Sequence, residues 1–365
     1  MEPDRRRLLM TADAVGGVWQ YAAELAAGLP RLGFEVVIAL LGPGPGHEQR
    51  RRIVSLPGVR LIETGLALDW LSDAGAVRRA SHELARLARS VGADLVHLNS
   101  PTLAAGRPFD VPVVSVAHGC VATWWEAAKA EPLDAAYHWH RDLMSRGLLA
   151  SDLVIAPSAS FAAAVQARYR LPSRPAIVHN GRTLAPAVGT RPAASVAFTA
   201  GRLWDAVKNA AMLDAVAERL GAPFVAAGAV EGPHGERVEL AHLELLGVLD
   251  EAAMARRFAE RPVFVSAATL EPFGLAVLEA AHAGCPLVLS DIPTFRELWG
   301  GAALFAPARD AAGFVAAIER CLAEPALRRR LSNAARRRAA GYTGERMAAA
   351  MAGHYGSLRA RRAAA

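Results

Sequence analysis

Short apolar runs of strand length alternate with segments of helical periodicity along the whole chain, and that alternation leaves few folds open. In the first half the runs are Arg7–Met10, Glu35–Leu41, Val59–Glu63, Leu95–Leu98, Val113–Ala117, Leu153–Ala156 and Ala176–His179. The second half continues with Val196–Ala200, Pro223–Ala227, Leu245–Val248, Val263–Ser266, Pro286–Leu289 and Ala303–Phe305. Between them, residues such as Val18, Tyr21, Ala22, Leu25 and Leu29 recur at helical spacing until Pro30 and Gly33 stop the pattern. Strands rich in valine, isoleucine and leucine that alternate with helices predict parallel sheets covered on both faces. The fold class is α/β.

The 365 residues exceed what one hydrophobic core usually organises. The alternation breaks at Arg182–Ser195, where Pro186, Gly189 and Pro192 punctuate a stretch with neither periodicity. We therefore predict a Rossmann-like domain over 1–183, a linker over 184–195 and a second Rossmann-like domain over 196–343. A final helix over 344–361 carries Met347, Met351, Tyr355 and Leu358 at helical spacing. Open α/β sheets bind ligands at the carboxyl ends of their strands, so two such sheets facing each other would form a cleft.

Composition excludes several classes. With 53% hydrophobic and 21% charged residues, the chain is no disordered segment. No apolar run approaches the ~18 residues of a membrane span. Asp13 interrupts the apolar stretch after the N-terminal arginines, which argues against a signal peptide. Cys120, Cys285 and Cys321 offer neither a disulfide framework nor a zinc spacing. A cytoplasmic protein is expected. The formal charge of +6 comes from arginines spread along the chain, with clusters at Arg5–Arg7, Arg50–Arg52, Arg328–Arg330 and Arg336–Arg338. Solvated helix faces explain these first, and contact with an anionic lipid surface or substrate comes second. A nucleic-acid partner is not expected, because no groove-reading motif accompanies the charge. Lysine is scarce, at Lys129 and Lys208 alone.

Four segments could carry chemistry. In the first, a strand ends near Ser266, a turn holds Glu271, Pro272, Phe273 and Gly274, and a helix is predicted over Leu275–Ala283 with Glu279 inside it. A carboxylate on so apolar a helix is costly to bury unless it has partners; helix geometry alone favours a solvent-facing Glu279, while the buried strands on either side leave the helix little exposed face. The amides at the helix start are donors for oxyanions or sugar hydroxyls. In the second, a strand ends at Gly201, and Arg202 and Lys208 follow in one loop, a pairing suited to a diphosphate. The third is the glycine pair Gly16–Gly17 between the first strand and its helix, where the backbone can approach a ligand; a tight strand-to-helix turn is the alternative. The fourth is His118, at the end of an apolar strand, followed by the aromatic run Trp124, Trp125, Tyr137 and Trp139. Aromatic faces stack on sugar rings, and they also make ordinary core. No Asp-x-Asp pair, HExxH, Walker loop or nucleophile elbow is present.

Taken together, Glu271–Glu279 continuing through Gly284–Pro293, and Gly201-Arg202-Leu203 with Lys208-Asn209, resemble the GT-B glycosyltransferases, specifically the large retaining family four. The resemblance runs from the first glycine loop to the C-terminal helix. It implies two Rossmann-like domains facing across a cleft, a nucleoside-diphosphate sugar as donor, UDP- or GDP-linked, and no metal or other cofactor. By it, Arg202 and Lys208 hold the diphosphate, Glu279 binds the ribose, and Glu271 with Phe273, Gly274 and Leu275 binds the transferred sugar. His118 stands beside that sugar. Gly16 and Gly17 border the phosphates and the acceptor, and Gly247, Val248 and Leu249 lie by the base. Catalysis falls to His118, Glu271, Arg202 and Lys208, and acceptor contacts to Trp19, Trp124 and Trp125. The last helix crosses back onto the first domain. Fixed cations at a departing phosphate would stabilise its charge as it forms. The acceptor stays open, as do two rivals: a nucleotide-sugar epimerase of the same fold and a non-catalytic two-lobed binder. An oxidoreductase is disfavoured, since no glycine fingerprint with a downstream acidic partner occurs.

Overall fold

The computed structural model describes residues 6–184 and 193–363. It divides into two compact units, one of residues up to Thr183 together with those from Thr343 onward, the other of Leu184–Tyr342. Most of the predicted linker, residues 185–192, lies outside the described residues.

In the first unit the strands are β1 (Arg6–Asp13), β2 (Phe34–Leu41), β3 (Val59–Leu66), β4 (Leu95–Leu98), β5 (Val113–Val116), β6 (Leu153–Ala156) and β7 (Ala176–Ile177). They form a parallel sheet in the order β3-β2-β1-β4-β5-β6-β7. Successive side chains of a strand point to opposite faces. Leu8 and Met10 therefore join Val36, Ile38 and Leu40 in one core, while Leu9 joins Val37, Ala39 and Leu41 in the other. The helix Gly17–Gly28 and the final helix Gly344–Ala363 cover the first face; Met347, Met351, Tyr355 and Leu358 enter that core. The two helices approach closely at Gly28, where a Cβ would stand 2.5 Å from that of Ala348. The helix Ala74–Ser90 covers the second face with Val77, Ala80, Leu84 and Ala88. Where the chain leaves this unit, the buried carboxylate of Glu24 accepts from Arg52 Nη2 at 2.9 Å, Arg182 Nη1 at 3.2 Å and the Thr183 amide at 3.0 Å.

The second unit holds β8 (Ala197–Ala200), β9 (Phe224–Ala227), β10 (Glu244–Leu245), β11 (Val263–Ser266), β12 (Leu287–Ser290) and β13 (Ala303–Ala306), all parallel, in the order β10-β9-β8-β11-β12-β13. Its strands divide their side chains in the same way. Phe198, Val225, Phe264 and Leu287 enter one core; Ala197, Phe224, Val263 and Val288 enter the other. The α/β reading with two Rossmann-like parallel sheets holds.

Two predicted strands keep half or less of their apolar runs. The Leu245–Val248 run yields only Glu244–Leu245 because Gly247, at φ +66°, turns the chain and leaves Val248 77% exposed. Ala176–His179 contracts to Ala176–Ile177 at the other sheet's edge. Both are edge strands, which a single neighbour holds.

Each sheet has one place where the strand order reverses, between β1 and β4 in the first unit and between β8 and β11 in the second. At such a point adjacent loops leave the carboxyl ends on opposite faces of the sheet and open a crevice for ligand.

Candidate active site

In the second unit the loops after β8 and β11 flank this reversal. The β8 loop carries Arg202 and Lys208, and the β11 loop carries Glu271. Lys208 Nζ donates to Glu271 Oε2 at 2.5 Å, with the two side chains 25% and 15% exposed, so residues far apart in sequence meet where a ligand would lie. The loops are tied through backbone as well. The Thr269 amide donates to the Val207 carbonyl at 2.9 Å, and Asn209 Nδ2 donates to the carbonyls of Ala267 at 3.1 Å and Ala308 at 2.8 Å. Asn209 adopts φ +59°, a left-handed geometry that asparagine tolerates better than most residues, and it turns the chain directly into the helix Ala210–Ala217.

Arg202 is held separately. Its Nη2 donates to Asp205 Oδ2 at 2.6 Å, and its guanidinium lies 5.5 Å from the ring centroid of Trp204. Asp205 is 2% exposed and also accepts from the Val207 amide. A buried carboxylate thus orients the arginine fork. Asp205 escaped the sequence reading; an acid three residues after the arginine in the same loop was the available signal. Trp204 packs against Gly232, where a Cβ would meet its ring at 2.7 Å.

The helix after Glu271 runs Leu275–Ala283, as its sequence predicts. Its N-cap, Gly274, sits at φ +91° and has no side chain to accept from the first-turn amides. A Cβ at Gly274 would lie 3.3 Å from Glu271 Cγ, Phe295 and Val277, so glycine serves both the backbone angle and the close packing. Phe273 is a core side chain, its ring 5.6 Å from that of Tyr342. Leu275 and Glu279 are half-buried on the helix. Gly247 accepts through its carbonyl from the Gly228 amide at 2.8 Å, next to exposed Val248 and half-buried Leu249. These three follow β10, at the edge of the sheet.

In the first unit the reversal lies between β1 and β4. After β1, the Asp13 carboxylate accepts from the Val15 amide at 3.0 Å and shapes the turn into Gly16 and Gly17. Gly16 is the extended N-cap of the helix and Gly17 is exposed. After β4 comes Asn99, and after β5 comes His118, whose Nε2 lies 2.8 Å from Asn99 Oδ1. His97 Nε2 is 3.1 Å from the same oxygen, and His97 Nδ1 is 2.6 Å from the Tyr355 hydroxyl of the final helix. The Tyr21 ring stands 4.5 Å from the His118 ring, centroid to centroid. Burial pushes the His118 imidazole down to about 3, with His97 beside it adding to the effect, and burial pushes His97 down to about 4. Both rings are neutral near pH 7. Asn99 and His97 were not singled out in sequence, and Tyr355 only as a helically spaced residue of the final helix; the position of Asn99 directly after a predicted strand was the only clue to the frame.

The aromatic run divides. Trp19 is 3% exposed and belongs to the first core, so it has no face left for an acceptor, and that expectation is corrected. Trp124 and Trp125 are half-buried, with ring centroids 6.3 Å apart. Trp125, anchored by Nε1 on the Glu131 carbonyl at 3.0 Å, lines a cavity of about 290 Å³ together with Glu126, Leu133, His138, Arg141 and Arg168. Among the described residues, no three histidine, cysteine, aspartate or glutamate side chains gather as metal ligands would. None of the described helices is long and apolar enough to cross a membrane.

Two family models tile the chain: Glycosyltransferase Family 4 over residues 15–185 and Glycosyl transferases group 1 over residues 224–338. The chain belongs to the GT-B glycosyltransferases. Over 93 residues it is 40% identical to a glycogen synthase of Mycobacterium tuberculosis, a match covering 25% of this chain and only 20% of that relative. In fold it is similar to sucrose-phosphate synthase from Thermosynechococcus elongatus, with a TM-score of 0.80 at 19% identity over 98% of this chain and 100% of that one. It is also similar to Anabaena Alr3699/HepE in complex with UDP and glucose, with a TM-score of 0.72 at 15% identity over 97% and 100% of the two chains. In this GT-B chain the first matched span contains Gly16, Gly17 and His118, and the second contains Glu271–Glu279. Arg202 and Lys208 fall between the two spans, so their assignment stands on the β8 loop itself.

Proposed function

We propose that this protein transfers a hexosyl group from a nucleoside-diphosphate sugar to an acceptor hydroxyl, with retention of anomeric configuration and without a metal ion. The observation that carries the reading is the contact of Lys208 with Glu271 where the second sheet reverses its strand order. A cation and a carboxylate there suit a ligand with an anionic end and a hydroxylated end. Lys208 and Arg202 bind the diphosphate and stabilise its charge as the sugar departs, aided by the amides at the start of the helix Leu275–Ala283. Glu271, with the Phe273 and Gly274 backbone, accepts from sugar hydroxyls, and Glu279 accepts from the ribose. Gly247, Val248 and Leu249 border the base. The first unit supplies His118 to the sugar, Gly16 and Gly17 to the phosphates and acceptor, and Trp124 and Trp125 to the acceptor. The bound UDP of one structural neighbour favours a uridine donor over a guanosine one.

The acceptor is a glycan, a glycolipid or a small metabolite. We place the protein in the cytoplasm, with peripheral contact to anionic lipid through the arginine-rich surface of the first unit. A thermal-shift panel of uridine, guanosine and adenosine diphosphate sugars tests the donor assignment: stabilisation by one nucleotide class is expected, and none by any would overturn it. Product analysis then separates transfer from epimerisation. Added EDTA is expected to leave turnover unchanged, whereas a loss restored by magnesium would refute the metal-free mechanism.

A further inference from the structure

We infer that Asn99 is a positioning residue that locks His118 in a single neutral tautomer, with the proton on Nε2 and the Nδ1 lone pair presented to a hydroxyl-bearing ligand. The inference rests on the functional reading only for the identity of that ligand; the tautomer follows from the hydrogen bonds. Asn99 Nδ2 lies 2.6 Å from the Thr11 carbonyl oxygen, and the Asn99 amide donates to Thr11 Oγ1 at 2.9 Å. If the side-chain amide were turned over, its oxygen would face that carbonyl at 2.6 Å, two acceptors with no proton between them. The orientation is therefore fixed, and Asn99 Oδ1 is the atom that meets both histidines. Since Oδ1 can only accept, His118 Nε2 at 2.8 Å and His97 Nε2 at 3.1 Å both donate.

The rest of the network closes on that assignment. With its proton on Nε2, neutral His97 offers Nδ1 as an acceptor, and the Tyr355 hydroxyl at 2.6 Å donates to it. Burial keeps His97 from taking a second proton near neutral pH. His97, Asn99 and Tyr355 are 8% exposed or less, so the frame is packed in place, while His118 is partly exposed. Among the described residues, no hydrogen bond engages His118 Nδ1. The titratable groups that face His118 are His97 on β4 and Tyr21 on the helix Gly17–Gly28, with Tyr355 of the final helix behind His97. None supplies a negative charge near pH 7, because burial raises both tyrosines. His118 is thereby set to take a hydrogen bond from a sugar or acceptor hydroxyl, and not to give one.

Long-range proton–nitrogen correlation spectra of protein labelled with nitrogen-15 histidine, with His118 assigned by comparison with His118→Gln, test this directly. The Nε2–H form is expected for His118 in the unaltered protein, and a mixture of tautomers in Asn99→Ala. Asn99→Ser withdraws the shared acceptor while keeping a small polar side chain, is expected to give the same mixture of tautomers, and serves should the alanine variant fail to fold. The Nδ1–H form in the parent, or a spectrum unchanged in both variants, would overturn the inference. With UDP-glucose as donor, turnover in Asn99→Ala is expected to fall about tenfold, the worth of one hydrogen bond, with KM for the donor little changed. An equal rise in KM would point to a structural role instead. If UDP-glucose is not consumed by the parent, the donor reading fails while the spectra still decide the tautomer.

Discussion

The two units use the same topological position in opposite electrostatic ways. Where the second sheet reverses, the side chains are ions in pairs that water still reaches: Lys208 with Glu271, 25% and 15% exposed, and Arg202, 39% exposed, against Asp205. Where the first reverses, they are neutral groups in a packed hydrogen-bond frame, Asn99 between His97 and His118. Under the proposed function, the contrast would answer to what each end of the donor demands. A diphosphate would need compensating charge that can be shared on arrival, which the Lys208–Glu271 pair, still reached by water, can offer, while buried Asp205 keeps Arg202 aimed. A hydroxyl needs a lone pair aimed in one direction, and a buried neutral network supplies aim at the cost of desolvating every member. Fold alone would not separate these roles, since both sheets are parallel and share one connection rule.

The sharpest way to break the contrast is to remove the cation. Lys208→Ala is expected to lower turnover by about 10²–10³ and to weaken nucleoside diphosphate binding, because one donor to the developing phosphate charge is lost. Calorimetry with UDP and GDP measures the binding half, and unchanged affinity for both would remove Lys208 from the phosphate site. Glu271, 15% exposed, keeps some access to water once its partner is gone, so the fold should persist; a thermal melt checks that.

Acid separates the units next. His97 and His118 sit below 6.5 in the folded protein, near 4 and 3, so as pH falls the unfolded chain takes up protons first. Their contribution to stability is whole above about pH 6.5 and is lost as pH falls toward 4, at up to about 1.4 kcal/mol per pH unit for each histidine. Urea unfolding between pH 7 and pH 4.5 measures the slope, and the loss should be confined to the first unit and flatten in His97→Gln. A first unit equally stable across that range would show that the histidines are not held neutral by the fold.

How far this contrast was legible in sequence differs between the units. Each predicted strand forms, because a strand covered on both faces needs only an unbroken apolar run, and Leu8–Met10 or Val263–Val265 announce it residue by residue. The charged loop was legible for a related reason: Arg202 and Lys208 are conspicuous beside an apolar strand, and lysine is rare in this chain. The neutral frame was not. Asn99, His97 and Tyr355 are ordinary residues until β1, β4 and the final helix are brought together, and the pair His97–Tyr355 spans 258 positions. Trp19 failed in the opposite direction. The resemblance implied an acceptor contact for it, whereas its helical spacing with Ala22, Ala23 and Ala26 fits the core it joins.

The smallest effect probes what the ion pair does before a donor arrives. In the structure Glu271 occupies the Lys208 ammonium, so a phosphate must displace the carboxylate or share the lysine with it. Glu271→Gln retains the shape and removes the competing charge. A nucleoside diphosphate without sugar is then expected to bind about two- to fivefold more tightly, the range of a partly exposed ion pair of up to about 1 kcal/mol. The corresponding nucleotide sugar, deprived of a carboxylate that accepts from its hydroxyls, should gain nothing or lose affinity. Calorimetry with UDP and UDP-glucose on the same variant compares the two. If both ligands tighten equally, Glu271 is only a counter-ion to Lys208; if they diverge, the carboxylate belongs to the sugar and the lysine to the phosphate.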